Sequence, residues 1–280
     1  MTDRSDQRPI AVFDSGVGGL TVLAELRRRL PDEATVYLGD NARTPYGPRP
    51  ADEVRRFTLE AVEWLLAQDP KLLVLACNTA TARALDDVRA LAGVPVVGVV
   101  RPGAVAATAA TRSGAVGVIA TAGTVESGAY HDAIVEADAA TTVVQLACPE
   151  LVPMVEAGIL DGRRAESVLR AYLEPLVEAN PGMDTLLLGC THYPLLREPI
   201  VGIVGDGVAV VDSAFTTALA VEDLLDALGA RAPAGGAAAN RVATTGDIAA
   251  FTTVAERLFG ERLPDVERAR IEATAALPVD

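Results

Sequence analysis

Residues 72–79 read LLVLACNT, a short apolar run followed by a cysteine and two polar residues. A continuous apolar run of this length is typical of a strand that is covered on both sides in a parallel sheet. The polar residues after it suit the start of a helix. The segment therefore predicts a βα unit with Cys77 at the carboxyl end of its strand.

A second segment, residues 185–192, repeats this pattern as TLLLGCTH. Its cysteine, Cys190, lies 113 positions after Cys77, a separation that matches one small domain. The repeat indicates two related halves, each presenting a thiol at the same structural place.

The rest of the chain also alternates short apolar runs with stretches of helical periodicity, which indicates βα units around parallel sheets. The predicted strands are 10–13, 35–38, 72–76, 94–97, 116–119, 142–146, 185–188, 208–211 and 241–244. The predicted helices include 20–30, 51–66, 79–90 and 163–178. We expect weak order at both ends, 1–8 and 263–280, and a flexible connection at 229–239, which is rich in Ala, Gly and Pro.

Composition narrows the class of protein. The 280 residues are 50% hydrophobic and 22% charged, which predicts a globular chain long enough for two domains. The 24 basic and 38 acidic residues give a net charge of −14, which disfavours nucleic acid as a partner. The apolar runs have strand length and are too short to span a membrane.

The cysteine and histidine counts exclude a standard metal centre. Three cysteines without a C-x-x-C pair, together with two histidines, give no zinc-binding spacing. An odd number of thiols, behind a polar start that lacks the apolar core of an export signal, predicts a cytoplasmic protein.

The carboxyl ends of strands are where open α/β sheets bind ligands. A thiol there feels the partial positive charge of the following helix, which lowers its pKa and favours the thiolate. Asn78, Thr79 and Thr191 supply donors that suit a carboxylate. Two such thiols, facing each other across a small anion, fit a two-base stereoinversion: one removes a proton from a stereocentre and the other delivers one to the opposite face.

A structural interpretation competes with this one. A cysteine after an apolar run is commonly a small buried hydrophobic residue. The matched local sequences of Cys77 and Cys190 favour the catalytic interpretation for that pair. Cys148 precedes Pro149 and has no donor-rich segment after it, so we interpret it as structural.

The loop FDSGVGGL, residues 13–20, follows the first predicted strand. It departs from G-x-G-x-x-G and has no Gly-Lys-Ser/Thr, which disfavours a dinucleotide site and excludes a P-loop. Its glycines either form a tight turn with close packing or bind a ligand, and the sequence leaves both open. Asp14 suits an ammonium group or assistance to a nearby thiol.

Lys71 is the only lysine of the chain. Pyridoxal phosphate needs a lysine for its Schiff base, so a reaction that uses this cofactor would have to use Lys71. It immediately precedes the strand that leads to Cys77. Six residues at about 3.3 Å each separate the two by roughly 20 Å. The reaction is therefore predicted to proceed without pyridoxal phosphate, and no other cofactor is indicated.

Taken together, the motifs resemble those of glutamate racemases, the cofactor-independent enzymes that supply D-glutamate for bacterial peptidoglycan. The resemblance extends over most of the chain. It is carried by residues 12–20, 39–47, 76–80, 148–153, 188–195 and 244–247.

The resemblance implies that Cys77 and Cys190 are the acid/base residues and that Asp14 and His192 assist them. The implied substrate contacts are Asp14, Ser15, Tyr46, Gly47, Asn78, Thr79, Thr191 and His192. Glu156 matches an acidic residue near the family's site. Simpler interpretations stay open, namely packing for Tyr46, helix capping for His192 and a helix surface for Glu156. Thr121 and Thr124 either line the pocket or cap a helix.

The implied fold has two similar doubly wound α/β domains that face each other across a substrate cleft. The first domain would comprise 1–98 plus 213–280 and carry Cys77, and the second would comprise 99–212 and carry Cys190. The implied partner is glutamate, with no metal, nucleic acid or membrane, and the implied assembly is a homodimer.

Three alternatives remain on the sequence alone. The first is racemisation of another amino acid such as aspartate, because the cysteine motifs do not measure side-chain length. The second is a receptor that binds an acidic amino acid without chemistry. The third is a secondary role as an inhibitor of a DNA-handling enzyme, which the sequence neither supports nor excludes.

Overall fold

The computed structural model describes residues 6–235, 238–260, 263 and 265–271. Within them the strands are β1 (Ile10–Asp14), β2 (Thr35–Gly39), β3 (Leu72–Leu75), β4 (Val96–Gly98), β5 (Ala115–Ala120), β6 (Thr142–Ala147), β7 (Thr185–Gly189), β8 (Ala209–Asp212), β9 (Asn240–Thr244) and β10 (Val266–Arg268). The helices are α1 (Leu20–Arg29), α2 (Ala51–Leu66), α3 (Asn78–Ala92), α4 (Val100–Ala110), α5 (Ala122–Glu126), α6 (Ala129–Ala137), α7 (Leu151–Glu156), α8 (Gly162–Ala179), α9 (Arg197–Val204), α10 (Ala214–Leu228) and α11 (Ile248–Phe259). None of these helices is both long and apolar enough to cross a membrane.

One parallel sheet has the strand order β10-β9-β2-β1-β3-β4 among the described residues. Its central strands are buried on both faces because successive side chains point to opposite sides. Ile10 and Val12 pack in one core cluster with side chains of α1 and α10. Ala11 and Phe13 pack in another with side chains of α2 and α3.

A second parallel sheet has the order β6-β5-β7-β8 in the described part of the chain. Leu187 faces a cluster that includes residues of α4 and α6, whereas Leu186 and Leu188 face the cluster that holds residues of α8. The chain leaves the first sheet after β4 and returns after β8. Two α/β domains with doubly wound sheets result, as predicted.

The prediction of weak order at 263–280 is wrong for the part that the structure describes. Val266–Arg268 form β10, which pairs in parallel with β9. Ala269 is buried, and its backbone N–H donates to the carbonyl of Thr244 at 2.9 Å. Backbone pairing and burial of alternate residues therefore order this segment. Residues 264 and 272–280 lie outside the described residues.

Lys71 lies at the amino end of β3, away from Cys77 as predicted. Its ammonium group pairs with Glu33 and donates to the carbonyls of Asp6, at 2.6 Å, and Ala230, at 2.8 Å. The side chain is only 1% exposed, so these bonds compensate its burial. They also anchor described parts of 1–8 and 229–239, two segments for which we expected weak order or flexibility; residues 1–5 and 236–237 lie outside the described residues.

Candidate active site

Both repeated cysteines lie just beyond the carboxyl ends of buried strands, Cys77 after β3 and Cys190 after β7. Both are buried free thiols. The hydroxyl of Thr191, next to Cys190, is 3.5 Å from the carboxylate of Asp14, which ends β1. The carboxyl ends of the two sheets therefore meet, and the residues around the two thiols come together between the domains.

Cys77 is the N-cap of α3. Its sulfur accepts a hydrogen bond from the backbone N–H of Ala80 and donates one to Ser15 Oγ, both at 3.4 Å. Burial and the nearby charge of Asp14 raise the pKa of Cys77 to about 12, against the opposing effects of its hydrogen bonds with Ser15 and Ala80. Cys77 is therefore a neutral thiol near neutral pH.

Cys190 has a different continuation from the one predicted. Residues Tyr193–Leu196 form a 3-10 helix, and α9 begins only at Arg197. Pro194 starts this tighter turn, and the Tyr193 hydroxyl ties it to the carbonyl of Cys148 at 2.9 Å. An α-helix N-terminus directly after Cys190, expected from the repeat, is therefore wrong.

Beside this thiol, a histidine side chain supplies the positive charge that a helix N-terminus was expected to supply. The Sγ atom of Cys190 lies 3.9 Å from Nδ1 of His192, and His192 Nε2 lies 3.2 Å from Oε1 of Glu156 at the end of α7. Burial lowers the pKa of His192, but its contacts with Cys190 and Glu156 and the charge of Asp14 raise it by more, to about 10. The imidazole is therefore cationic near neutral pH and lies between a thiol and a carboxylate.

The contact between His192 and Glu156 argues against two simpler interpretations, helix capping for His192 and a plain surface position for Glu156. His192 precedes the 3-10 helix, but its side chain makes no capping hydrogen bond. Glu156 is 30% exposed, and its carboxylate is turned to His192.

Asp14 is completely buried at the end of β1. Its carboxylate accepts a hydrogen bond from the backbone N–H of Gly16 at 2.9 Å. Burial raises its pKa, against the lowering effects of the His192 charge and the Gly16 N–H.

The glycines of this loop allow close approach. A Cβ atom on Gly18 would lie 2.3 Å from Thr191 Oγ1 and 2.6 Å from the His192 ring. A Cβ on Gly19 would lie 2.5 Å from the Cβ of Asp14. The structure thus accounts for these glycines by close packing against site residues.

Three threonine hydroxyls connect the domains. Thr79 Oγ1 lies 2.9 Å from Thr121 Oγ1 and 3.2 Å from Thr124 Oγ1, and the latter two are 3.0 Å apart. Thr121 precedes α5 without a capping bond from its side chain. Nearby, the backbone N–H of Gly123 donates to the carbonyl of Gly47 at 2.9 Å.

Tyr46 is buried, with its ring centroid 6.2 Å from that of Phe13 and 6.0 Å from that of Phe57. Its hydroxyl donates to Asp40 at 2.5 Å. The side chain of Tyr46 therefore packs in the core and directs its hydroxyl to Asp40.

Sequence reasoning assigned no role to Asp40, although it lies in a quoted motif. This buried carboxylate also accepts hydrogen bonds from Arg43 Nε at 2.7 Å and from the Thr245 hydroxyl at 2.6 Å. It holds the loop of Tyr46 and Gly47 against the end of β9. The signal in the sequence that could have found Asp40 is its place as an acidic residue within a family motif.

Asn78 begins α3 directly after Cys77. Its Nδ2 atom is buried and has no hydrogen-bond partner among the described residues. A buried amide donor at a helix N-terminus suits an anionic ligand. Within all the residues that the structure describes, no group of three or more His, Cys, Asp or Glu side chains is arranged to hold a metal ion.

Comparison with known proteins agrees with this geometry. The profile of the Asp/Glu/Hydantoin racemase family matches residues 20–224. The chain is 47% identical to a glutamate racemase from Oceanobacillus iheyensis, over 91% of this chain and 92% of that one. A solved glutamate racemase from Bacillus anthracis superposes with a TM-score of 0.90 at 40% identity, covering 95% of this chain and 98% of the other. A glutamate racemase from Francisella tularensis, solved with D-glutamate, gives a TM-score of 0.88 at 32% identity, with 95% and 99% covered.

Proposed function

The chain belongs to the Asp/Glu/Hydantoin racemase family, and on that premise we propose that it interconverts L-glutamate and D-glutamate. The choice of glutamate is supported by relatives with that name at 47% and 40% identity over more than nine-tenths of this chain. The proposed mechanism uses two cysteines and no cofactor.

The observation that carries the mechanism is the unequal pair of thiols. Burial and Asp14 raise the pKa of Cys77 to about 12, so Cys77 is a proton donor. Cys190 lies 3.9 Å from the cationic His192, and we assign this cysteine the role of the base. A racemase needs one base and one acid on opposite faces of the substrate carbon, and this pair supplies both.

In the proposed reaction, the Cys190 thiolate takes the α-proton of one enantiomer, and the C–H electron pair remains on the carbon. The Cys77 thiol then gives its proton to the opposite face of that carbon. The product leaves Cys190 as thiol and Cys77 as thiolate, which is the form that acts on the other enantiomer. The two directions therefore use the same residues in exchanged roles.

Removing an unactivated α-proton needs stabilisation of the developing negative charge. The buried Asn78 amide, with its unpaired Nδ2, supports a carboxylate site at the start of α3, which Thr79 and Thr191 would complete. Asp14, Ser15 and the backbone at Tyr46 and Gly47 are proposed as further contacts. Thr121 and Thr124 are proposed to orient Thr79, on the basis of their hydroxyl contacts.

We assign Glu156 to holding His192, because its carboxylate accepts the Nε2 hydrogen of that ring. We also propose the domain boundaries 1–98 plus 213–280 and 99–212, with one cysteine in each domain. The family resemblance supports a cytoplasmic homodimer that supplies D-glutamate for peptidoglycan. Free thiols at Cys77, Cys148 and Cys190 agree with a reducing compartment.

The test is a panel of L-amino acids followed by loss of circular dichroism, with no pyridoxal phosphate added. We expect decay of the signal for L-glutamate toward zero, and no decay for L-aspartate on the same timescale. Inversion of aspartate alone would replace the proposed substrate. Tight binding of glutamate with no decay of its signal would indicate a receptor and contradict the enzyme.

A further inference from the structure

We propose that Tyr130 is a positioning residue that fixes the orientation of the Asn78 amide, so that Asn78 Nδ2 donates to a carboxylate of the substrate. The inference rests on the proposed function for the identity of the ligand. Its geometry comes from a hydrogen bond between the two domains, formed by residues 52 positions apart.

Tyr130 is fully buried in α6 of the second domain. Its ring is confined by two glycines. A Cβ atom on Gly103 would lie 3.2 Å from the ring and its hydroxyl, and a Cβ on Gly189 would lie 2.8 Å from the other ring edge. The absence of both side chains leaves a slot for the ring and directs its hydroxyl at the first domain. There it donates to Asn78 Oδ1 at 2.5 Å.

The bond between Tyr130 and Asn78 sets the orientation of the amide. The phenol hydroxyl donates to Oδ1, so the oxygen of Asn78 is turned to Tyr130 and its NH2 group is turned away. Both side chains are buried.

In the opposite amide orientation, the NH2 group would face the phenol and donate to its oxygen. The phenol hydrogen and the Asn78 oxygen would then each need a new partner. The bond from Tyr130 to Asn78 Oδ1 therefore leaves Nδ2 as the part of the amide that can meet a ligand. That atom is buried without a partner among the described residues, and a carboxylate supplies the acceptor that it lacks.

The first experiment replaces Tyr130 by phenylalanine, which keeps the ring in its slot and removes only the donor. The affinity for racemic glutamate is measured by calorimetry, because a racemic mixture undergoes no net reaction. We expect the apparent Kd, and the KM, to rise roughly 10- to 100-fold, as for loss of a buried hydrogen bond, with a smaller change in kcat. Tyr172→Phe is the control, since the hydroxyl of Tyr172 binds Glu150 at the surface.

The second experiment repeats Tyr130→Phe in an Asn78→Ala background. If Tyr130 acts through the amide, the second substitution changes the apparent Kd by less than about twofold.

An unchanged Kd in Tyr130→Phe, or an equal fold-change in both backgrounds, overturns the role of Tyr130. Glutamate binding by a wild type that fails to racemise it contradicts the proposed function alone, because the affinities still test the amide. Failure of the wild type to bind glutamate contradicts both proposals.

Discussion

The two thiol regions begin alike in sequence and differ in charge. Cys77 caps an α-helix, and its neighbours are neutral donors and the buried carboxylate of Asp14. Cys190 precedes a 3-10 helix and lies beside His192, whose partner is Glu156. The repeat therefore gives both cysteines the same position on a sheet, while the neighbouring His192 and the distant residues Glu156 and Asp14 give them different surroundings.

In the proposed mechanism, this difference lets one site hold an acid and a base together. Two thiols in identical surroundings would favour the same protonation state. Here a cationic histidine lies beside Cys190, while burial keeps Cys77 protonated. Substitutions that remove or equalise this difference should reduce the rate.

Removing either thiol removes one of the two proposed acid/base groups. Cys77→Ser and Cys190→Ser should each lower kcat/KM for glutamate by roughly 10²- to 10⁴-fold, since a hydroxyl is a much poorer base than a thiolate. Initial rates from circular dichroism measure the loss. Cys148→Ser is the matched control, because it makes the same change at a buried thiol with no assigned role, and it should retain most activity. Wild-type activity in either catalytic variant would refute the two-thiol assignment.

Removing the cation makes the two regions more alike. His192→Asn should lower kcat/KM roughly 100-fold near neutral pH, because the charge beside Cys190 is lost. In the wild type, kcat/KM should fall as the pH rises through about 10, the pKa of His192. A pH profile of the wild type that stays flat beyond that value would argue against a catalytic imidazolium.

The same histidine links stability to pH. Its pKa is raised from 6.5 to about 10 on folding, so the imidazolium contributes its full stability below about pH 6.5. That contribution is lost as the pH rises toward 10. Chemical denaturation of the wild type and His192→Asn between these limits should show a difference in unfolding free energy that narrows with increasing pH.

Glu156→Gln is a milder change on the Cys190 side than His192→Asn, because it keeps the hydrogen-bond geometry and removes one charge. The His192 pKa should fall, which moves the alkaline limb of the pH profile down by about one unit. Near neutral pH the loss in kcat/KM should be about 10-fold or less. An alkaline limb in the wild-type position would place Glu156 outside the mechanism.

Ser15→Ala probes the Cys77 side. Ser15 Oγ lies 3.4 Å from the sulfur of Cys77 and lowers the pKa of that thiol. Its loss should raise this pKa and reduce kcat/KM only a few-fold, as for a single neutral hydrogen bond. A loss as large as that of His192→Asn would mean that the two sides are electrostatically equivalent, contrary to the structure.

Substitution of Lys71, which lies away from the site, should have the smallest effect on activity. Lys71→Met alone should destabilise the fold by about 3–5 kcal/mol, because it leaves Glu33 buried and unpaired. The double variant Lys71→Met with Glu33→Gln removes both charges and should recover much of that stability. Its kcat/KM should stay within about twofold of the wild type, because a side chain at the far end of β3 takes no part in the chemistry. A large loss of kcat/KM in the folded double variant would reopen lysine-dependent chemistry.

Much of the fold could be predicted because it is coded locally. Apolar runs such as 72–75 and 185–189 mark buried strands, and their repeat placed both cysteines at strand ends. The strand at 266–268 was missed, since it is short and lies beyond a polar stretch. Partners brought together from distant parts of the chain, such as Tyr130 with Asn78 and Asp40 with Thr245, have no local signature.

Racemisation of L-glutamate in D2O distinguishes one acid and one base on opposite faces of the substrate carbon from a single base. In the proposed mechanism, Cys77 exchanges its proton with solvent before turnover, whereas Cys190 receives the substrate proton. At early times, D-glutamate should therefore carry deuterium at the α-carbon, while the remaining L-glutamate stays unlabelled. Deuterium that enters L-glutamate as fast as D-glutamate forms would require a single base and contradict this account.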